Sequence, residues 1–405
     1  MAAIFAAGHG RQVVVLERTR DGGRKILISG GGRCNVLPSE LEPSRFVTDS
    51  SRHLLRRMLL AWPLAEQRAF FEGQLGIPLA LEAETGKLFP ASNRARDVRD
   101  GLVSHARNLG VEVRFDSPVR DCRPRGSDWE VQVEGETVVG SAVILATGGL
   151  SVPTTGSDGL GIALARRLGH LIHEPYPALT PLIADPPIHA SLAGLSLTVT
   201  VSARVDGKRA ETTGGFLFTH RGYSGPAVLD LSHLAVRARL SGGARQDLLV
   251  AWTPVKETEW DRRLQARSPR AVLTVLREDL PGRLAEQLLA EAGVDPARKL
   301  AQLARAERRV LVERLARYRL PWTADEGYRK AEVTGGGVAL EEVYPTTLES
   351  RRLPGLYFCG EMLDAFGPIG GHNFAWAWAT GRAAGTGAGT TNTEGRARRP
   401  APREY

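Results

Sequence analysis

Gln12-Val13-Val14-Val15-Leu16-Glu17 is a β-branched apolar run that ends on an acid, and before it Met1-Ala2-Ala3-Ile4-Phe5-Ala6-Ala7 forms an alanine-rich apolar segment cut off by Gly8-His9-Gly10. By residue preference the order is helix, turn, strand. In a dinucleotide-binding βαβ unit a glycine loop joins the first strand to a helix, and an acid about 20 positions further on, at the end of the second strand, binds ribose hydroxyls. Glu17 stands where that acid belongs; the alternative is a surface acid that ends a strand. No intact G-x-G-x-x-G occurs in the 405 residues, and Gly30-Gly31-Gly32 fails because Asn35 takes the last glycine's place. The first strand of such a unit is central in its sheet, and its glycine loop cradles the pyrophosphate. The sequence is therefore expected to begin inside the first cofactor-binding helix, downstream of both.

Outward from this stretch, residues 51–73 read as helix with a break at Trp62-Pro63, and 96–108 as helix stopped by Gly110. Residues 111–115, 129–133 and 137–147 read as strands. From Ser196 to Val205 apolar residues alternate at Leu197, Val199, Val201, Ala203 and Val205, the pattern of an antiparallel sheet with one wet face. Residues 257–315 are mostly helical in pattern, broken by Pro269, Pro281 and Pro296, and Leu356-Tyr357-Phe358-Cys359 resumes a buried-strand signal. The fold class that follows is α/β. A Rossmann-like split domain is made from residues 1–180 and 330–388, a β-rich insertion from 181–255 and 318–329, and a helical subdomain from 256–317. The Gly- and Thr-rich stretch from Gly385 and the tail 389–405 are expected to be disordered.

Composition narrows the function. With 42% hydrophobic and 24% charged residues the chain has the makings of a globular core. It lacks an apolar run long enough to span a membrane and a signal-peptide pattern, so a cytoplasmic location is expected. Cys34, Cys122 and Cys359 are isolated, so neither a disulfide framework nor a metal site is expected. A net charge of +8 invites nucleic acid, yet acids are expected to accompany the arginines along the chain, with only Arg396 to Arg403 a basic block without them. The expected partner is a small-molecule substrate rather than nucleic acid.

Several motifs, in order and spacing, resemble the BaiN-like (YhiN-like) flavoproteins. They are Gly23-Arg24-Lys25-Ile26-Leu27-Ile28-Ser29-Gly30-Gly31-Gly32-Arg33-Cys34-Asn35, Leu88-Phe89-Pro90, and Ile144-Leu145-Ala146-Thr147-Gly148-Gly149-Leu150-Ser151 leading to Thr155-Gly156. Leu217-Phe218-Thr219-His220, Ser224-Gly225-Pro226, Glu332 to Val338, Gly355 to Glu361 and Gly370-Gly371-His372-Asn373 continue the series. The resemblance implies a split FAD domain with an inserted β-barrel and a small helical domain, and a flavin oxidoreductase that moves hydride between NAD(P)H or a reduced substrate and a small organic acceptor. A flavin-associated RNA-modifying protein and a flavin-free scaffold are the alternatives. Where many members read Asp-Val-Asp-Gly before Gly-Gly-Tyr-Asn, this chain has Asp364-Ala365-Phe366-Gly367 and His372.

Physically, the loop Ser29 to Asn35 lets backbone approach a ligand, with Arg24, Lys25 and Arg33 as cationic partners for a pyrophosphate; by resemblance it lies along the FAD. Thr147, Gly148 and Gly149 end a buried strand at a bare turn that returns to the cofactor, and Val119 holds the place where similar flavoproteins pair backbone with adenine. Gly360, Glu361 and Asp364 bring acids near the ribityl chain, or serve as N-terminal helix charges. Gly370, Gly371, His372, Asn373 and Phe374 open an apolar helix whose free N–H groups would stabilise negative charge on a reduced flavin; Asn373 also reads as an N-cap. Candidates for proton or redox chemistry are His220, His372 and Cys34, the last competing with a reading as buried filler. NAD(P)H is expected to dock transiently, since no second dinucleotide fingerprint occurs.

Overall fold

The computed structural model describes residues 1–205, 207–266 and 268–390. Within them the chain divides into two compact units, Met1–Pro177 with the segment that starts at Glu332, and Ala178–Ala331.

In the first unit helix α1 (Ala2–Ala7) leads into strand β1 (Val14–Leu16), and β1 runs parallel to β2 (Glu112–Arg114) with Val15 opposite Val113. Strand β3 (Val143–Leu145) runs parallel to β6 (Leu356–Phe358) with Ile144 opposite Tyr357. Parallel neighbours cannot be joined by a tight turn. The crossover from β3 to β6 here contains the whole second unit. All three β6 residues are buried, which is why this strand reads as continuously apolar instead of alternating. An antiparallel meander, Val119–Arg125, Asp128–Val133 and Glu136–Gly140, buries Trp129, whose indole N–H donates to the Pro354 carbonyl at 3.1 Å.

The long helix α5 (His372–Thr390) overturns one expectation: Gly385 to Thr390 are helical, not disordered. Glycine is a poor helix former, and tertiary packing decides the matter. A Cβ on Gly385 would stand 2.2 Å from the Ala2 carbonyl oxygen, and one on Gly381 would stand 3.2 Å from Met1 Cβ, so the small residues let α5 lie directly against α1. The rest of the expected tail, 391–405, lies outside the described residues.

The second unit is built on a long hairpin of β4 (Ser196–Val205) and β5 (Lys208–Phe218), in register from Ser196 opposite Leu217 to Val205 opposite Lys208. Val199, Val201 and Ala203 are buried on one face, as the alternation predicts, and helix α4 (Pro226–Leu240) packs on both strands. Seven strands join in one sheet whose edges are Tyr318–Arg319 and Ala324–Asp325; among the described residues these edges do not pair with each other, so the sheet is open where a barrel was implied. Helices Glu257–Leu264, Val272–Leu276, Gly282–Glu291 and Arg305–Ala316 share one apolar core with the sheet, centred on Trp252, Trp260 and Leu311.

A buried polar cluster pins this unit together. Glu291 accepts hydrogen bonds from the side chains of His189, Gln287 and Tyr318, each at 2.8 Å, and the other His189 nitrogen lies 2.8 Å from the Tyr223 hydroxyl. Burial alone would raise the Glu291 carboxyl, but the bonds from His189, Gln287 and Tyr318 outweigh it and hold the group below the usual carboxylate range. A carboxyl depressed by folding contributes stability that is complete above its unfolded pKa and is lost as pH falls through the folded one. The melting temperature of the second unit is therefore expected to drop below about pH 4.3. A melt series on wild type and Glu291→Gln checks this: the variant should be less stable near neutrality and lose less on acidification.

Candidate functional site

Four segments of the first unit meet at Glu361. Its carboxylate accepts from the Lys25 ammonium, from the Ser151 hydroxyl and, at 2.9 Å, from the Thr334 backbone N–H; Lys25 also donates to Ser151 at 2.6 Å. The Thr334 hydroxyl in turn accepts the Leu150 and Ser151 N–H groups at 2.8 and 3.1 Å. Helix α2 (Arg24–Ile28), the turn after β3, the strand Val333–Val338 and the turn after β6 are thereby fixed to one another. Gly149 permits the approach, because a Cβ there would stand 2.3 Å from the Thr334 hydroxyl. Lys25, Gly149 and Glu361 were singled out from sequence. Ser151 and Thr334 lie inside the motifs, Thr334 directly before Gly335-Gly336-Gly337 and Ser151 two residues after Gly149.

Glu17 closes β1 as expected. One carboxylate oxygen accepts from the Thr19 N–H and hydroxyl, at 2.8 and 2.7 Å, and its backbone carbonyl accepts from Ser117 at 2.9 Å. Val119, two residues beyond Ser117, starts its strand opposite Val133 and packs against the apolar core. The loop after Thr155 reaches the same turn, with Arg18 paired to Asp158 and Thr19 against Gly156.

Ser29 to Gly32 form a tight turn in which Gly30, Gly31 and Gly32 all have positive φ (55°, 68° and 85°), a conformation that side chains with a Cβ resist. The Ser29 hydroxyl donates to the Ile26 carbonyl at 2.9 Å. All three cations expected to face a pyrophosphate have acidic partners, that of Lys25 being Glu361. Arg33 pairs with Glu82 at 3.0 Å and lies over the Phe89 ring at 3.9 Å, while Arg24 pairs with Asp21 at 2.7 Å. In each case an acid supplied by the fold takes the guanidinium.

Asp364 is likewise engaged by the fold. It is 2% exposed, and one oxygen accepts from the Thr48 hydroxyl, the Asp49 and Ser50 N–H groups and the Ser50 hydroxyl, all at 2.8 to 2.9 Å. Through that oxygen the carboxylate anchors the loop 48–50. Gly360 donates its N–H to the Thr380 hydroxyl at 2.9 Å, and its carbonyl accepts from the Trp376 indole at 3.1 Å, so this turn is held by α5. Thr147 lies 3.2 Å from the Met362 sulfur, and Gly148 has φ 71° with Ser157 beside it.

At the start of α5, Gly371 (φ 95°) presses on the Leu37 and Pro38 backbone just beyond the triple-glycine turn. Asn373 is not a cap for its own helix; its amide exchanges two hydrogen bonds with the Gly367 backbone, at 2.8 and 2.9 Å. Phe374 stacks on Trp378, whose indole donates to the Val36 carbonyl at 3.0 Å. His372 is buried, packs edge-on against Phe46 at 6.1 Å, and has neither ring nitrogen in hydrogen-bonding geometry with a partner. Burial and then the nearby Arg45 charge push its imidazole down to about 4, against a backbone contact from Ile369, so the ring is neutral near pH 7.

His220 lies in the second unit, exposed in the turn between β5 and the strand Gly222–Ser224. Cys34 is wholly buried at a positive φ of 65°, and burial pushes its thiol up to about 12, against a hydrogen bond from Ser29. A thiol in that state is neither nucleophile nor exchange partner. Cys34→Ser is expected to leave turnover within about twofold of wild type while lowering stability by about 1 kcal/mol, which steady-state rates and a urea melt check.

The fit of a flavin nucleotide is tested by the buried polar atoms that the fold leaves unpaired. Five side-chain atoms are of this kind among the described residues, and three of them, Asn35 Oδ1 and both ring nitrogens of His372, lie on the two segments expected to face the cofactor. Unpaired groups in such places call for a polar ligand. A surface cleft of about 280 Å³ lined by Phe5, Trp62, Phe70 and Arg382 holds none of these residues, and the Arg382 guanidinium lies 5.3 Å from the Trp62 ring centre.

These features define a Rossmann-type α/β protein. Residues 1–387 match the family model described as HI0933-like protein Rossmann domain; the chain belongs to that family and is an FAD-dependent oxidoreductase. It is 32% identical over 377 residues to the ribosomal RNA dihydrouridine synthase of Escherichia coli, covering 92% of this chain and 91% of that one. It is also 32% identical over 386 residues to the 3-dehydro-bile acid delta(4,6)-reductase of Clostridium scindens, covering 93% of each. Among solved structures, the 3-ketosteroid-delta4-(5alpha)-dehydrogenase of Rhodococcus jostii aligns with 96% of this chain and 94% of its own at 16% identity and a TM-score of 0.44. No helix among the described residues is long and apolar enough to cross a membrane.

Proposed function

We propose that this protein reduces a carbon–carbon double bond conjugated to a carbonyl, with NAD(P)H as electron donor. The observation that carries the reading is His372, a buried neutral imidazole with two unpaired nitrogens at the glycine-lined start of α5. The names of two relatives agree with it chemically. Dihydrouridine is uridine with its C5–C6 double bond saturated, next to a carbonyl, and a delta(4,6)-reductase of a 3-oxo bile acid acts on double bonds conjugated to the 3-oxo group.

FAD, when bound, supplies the two-electron hydride chemistry. Glu17, with one carboxylate oxygen outside its Thr19 bonds, would hold ribose hydroxyls, and Lys25, Ser151 and Glu361 would fix the turn along which the nucleotide lies. Asn35 would offer its free Oδ1 as an acceptor. His372 would donate an N–H to the substrate carbonyl oxygen, so that negative charge developing there as the double bond is reduced meets a donor in a dry site. The free N–H groups at the start of α5 add positive potential. A cytoplasmic location, where NAD(P)H is held, belongs to this reading.

A small organic enone is the first substrate class. A uridine of RNA is the second, favoured by the Escherichia coli relative's name and by a basic surface described below, and it weighs against the expectation that nucleic acid is not a partner. The test is anaerobic: the flavin-loaded protein is reduced with NADPH, then mixed with a 3-oxo-4,6-diene bile acid or with ribosomal RNA while flavin absorbance is followed. Reoxidation by either acceptor, with the saturated product found by mass spectrometry, supports the reading. Absence of reoxidation by both overturns it.

A further inference from the structure

The tail is not the only basic block without carboxylates beside it: no acid occurs between Asp49 and Glu66. Helix α3 (Arg52–Leu59) reads Arg-His-Leu-Leu-Arg-Arg-Met-Leu and contains no acid. It buries Leu55, Met58 and Leu59, and leaves Arg52, His53, Arg56 and Arg57 exposed. Arg52 and Arg56 are four residues apart, so they lie on one face about 6 Å apart along the axis. That is of the order of the spacing between successive phosphates on a nucleic-acid strand. Arg45, in the short helical turn Pro43–Arg45 that packs on α3, is exposed as well.

None of Arg45, Arg52, Arg56 and Arg57 forms an ion pair among the described residues, whereas Arg114, Arg123, Arg166, Arg262, Arg263 and Arg352 all do. The acids nearby sit at the amino end of α3, where Glu341 accepts the Ser51 N–H at 2.6 Å and Asp49 precedes the helix. Four guanidinium groups on one surface repel one another and contribute little to folding, so they fit a polyanion.

The position of this ridge links it to the site. Arg45 directly precedes Phe46, whose ring packs edge-on against His372, and the Arg45 charge reaches the His372 imidazole. Between Arg45 and α3 the chain is pinned by Asp364 through Thr48, Asp49 and Ser50. The acid expected to touch the cofactor therefore sets where the basic ridge stands relative to His372.

We infer that Arg45, Arg52, Arg56 and Arg57 form a phosphate-binding ridge that holds the backbone of an RNA substrate beside His372. The inference rests on the RNA reading of the site given above. Phosphate contacts of this kind position a strand without reading its sequence, and they make affinity fall steeply with salt.

The test compares the flavin-loaded protein with Arg52→Gln/Arg56→Gln/Arg57→Gln and with a charge-matched control, Lys299→Gln/Arg305→Gln/Arg309→Gln, whose residues are exposed and unpaired on another helix and its approach. The probe is fluorescently labelled, deproteinised ribosomal RNA fragments, titrated across a salt series, with flavin content and melting temperature confirming that each variant is folded. The ridge variant should bind roughly tenfold or more weakly, with the slope of log affinity against log salt shallower by about 2, while the control keeps the wild-type slope. NADPH-driven reduction of the 3-oxo-4,6-diene acceptor should stay unchanged in both. Salt-sensitive RNA binding that the ridge variant retains in full would overturn the ridge and leave the RNA reading standing. Wild-type protein without salt-dependent RNA binding would overturn both.

Discussion

Gly371→Ala is expected to lower stability by about 3 kcal/mol and to leave the protein without bound flavin. Two costs add. A φ of 95° lies where a side chain with a Cβ is strained by about 1–2 kcal/mol. The new methyl would also stand 2.6 Å from the Leu37 carbonyl carbon and 2.9 Å from Pro38 N, which are backbone atoms that move only with their strand. Overpacking of that sort costs about 1–3 kcal/mol. Gly110→Ala is the control, since Gly110 has φ 82° but nothing within 4 Å of its would-be Cβ, and it lies in none of the segments expected to face the flavin. It should lose only the conformational term, about 1–2 kcal/mol, and keep its flavin. Melting temperature and the flavin-to-protein absorbance ratio, measured on both variants, decide the matter; equal losses would show that the approach of α5 to Leu37 is not tight.

The second large effect is expected at Glu361. Glu361→Ala strips the acceptor from the Lys25 ammonium, the Ser151 hydroxyl and the Thr334 N–H at once, in a place where Lys25 and Glu361 side chains are 29% and 17% exposed. Orphaning a buried charge costs about 3–5 kcal/mol, and the residual exposure here brings the expectation to about 2–4 kcal/mol. Because much of that penalty is the unpaired ammonium, Lys25→Met/Glu361→Ala should be less destabilised than the sum of its single variants by at least about 1 kcal/mol. Urea denaturation of the four proteins completes the cycle. Strict additivity would mean that Lys25 finds water instead of Glu361.

Much of this architecture is written locally. The β-branched run ending at Glu17 and the buried Leu-Tyr-Phe strand declare themselves by residue type, and the Ser196 to Val205 alternation is matched by the burial of Val199, Val201 and Ala203. The consecutive glycines at 30–32 declare a left-handed turn. What escaped is tertiary in origin. Nothing local says that Arg33 will lie over Phe89 or that Arg24 will pair with Asp21. Asp364 meets Thr48 across 316 positions of sequence, so its engagement with that loop is invisible until the chain is folded. Gly385 to Thr390 look like a disordered run by propensity, and the packing of α1, His9 and Thr347 against their glycines explains their helix. The basic face of α3, by contrast, is legible locally, because no acid occurs between Asp49 and Glu66, on either side of Arg52, Arg56 and Arg57.

One flavin nucleotide is expected to lie against the triple-glycine turn, the Gly149-to-Ser151 turn and the start of α5 together. Hydrogen–deuterium exchange of the protein with and without added FAD tests this most directly. The expected result is slower exchange in residues 24–36, 147–151 and 360–374, with the second unit little changed. Protection confined to one of those segments, or appearing elsewhere, would contradict it.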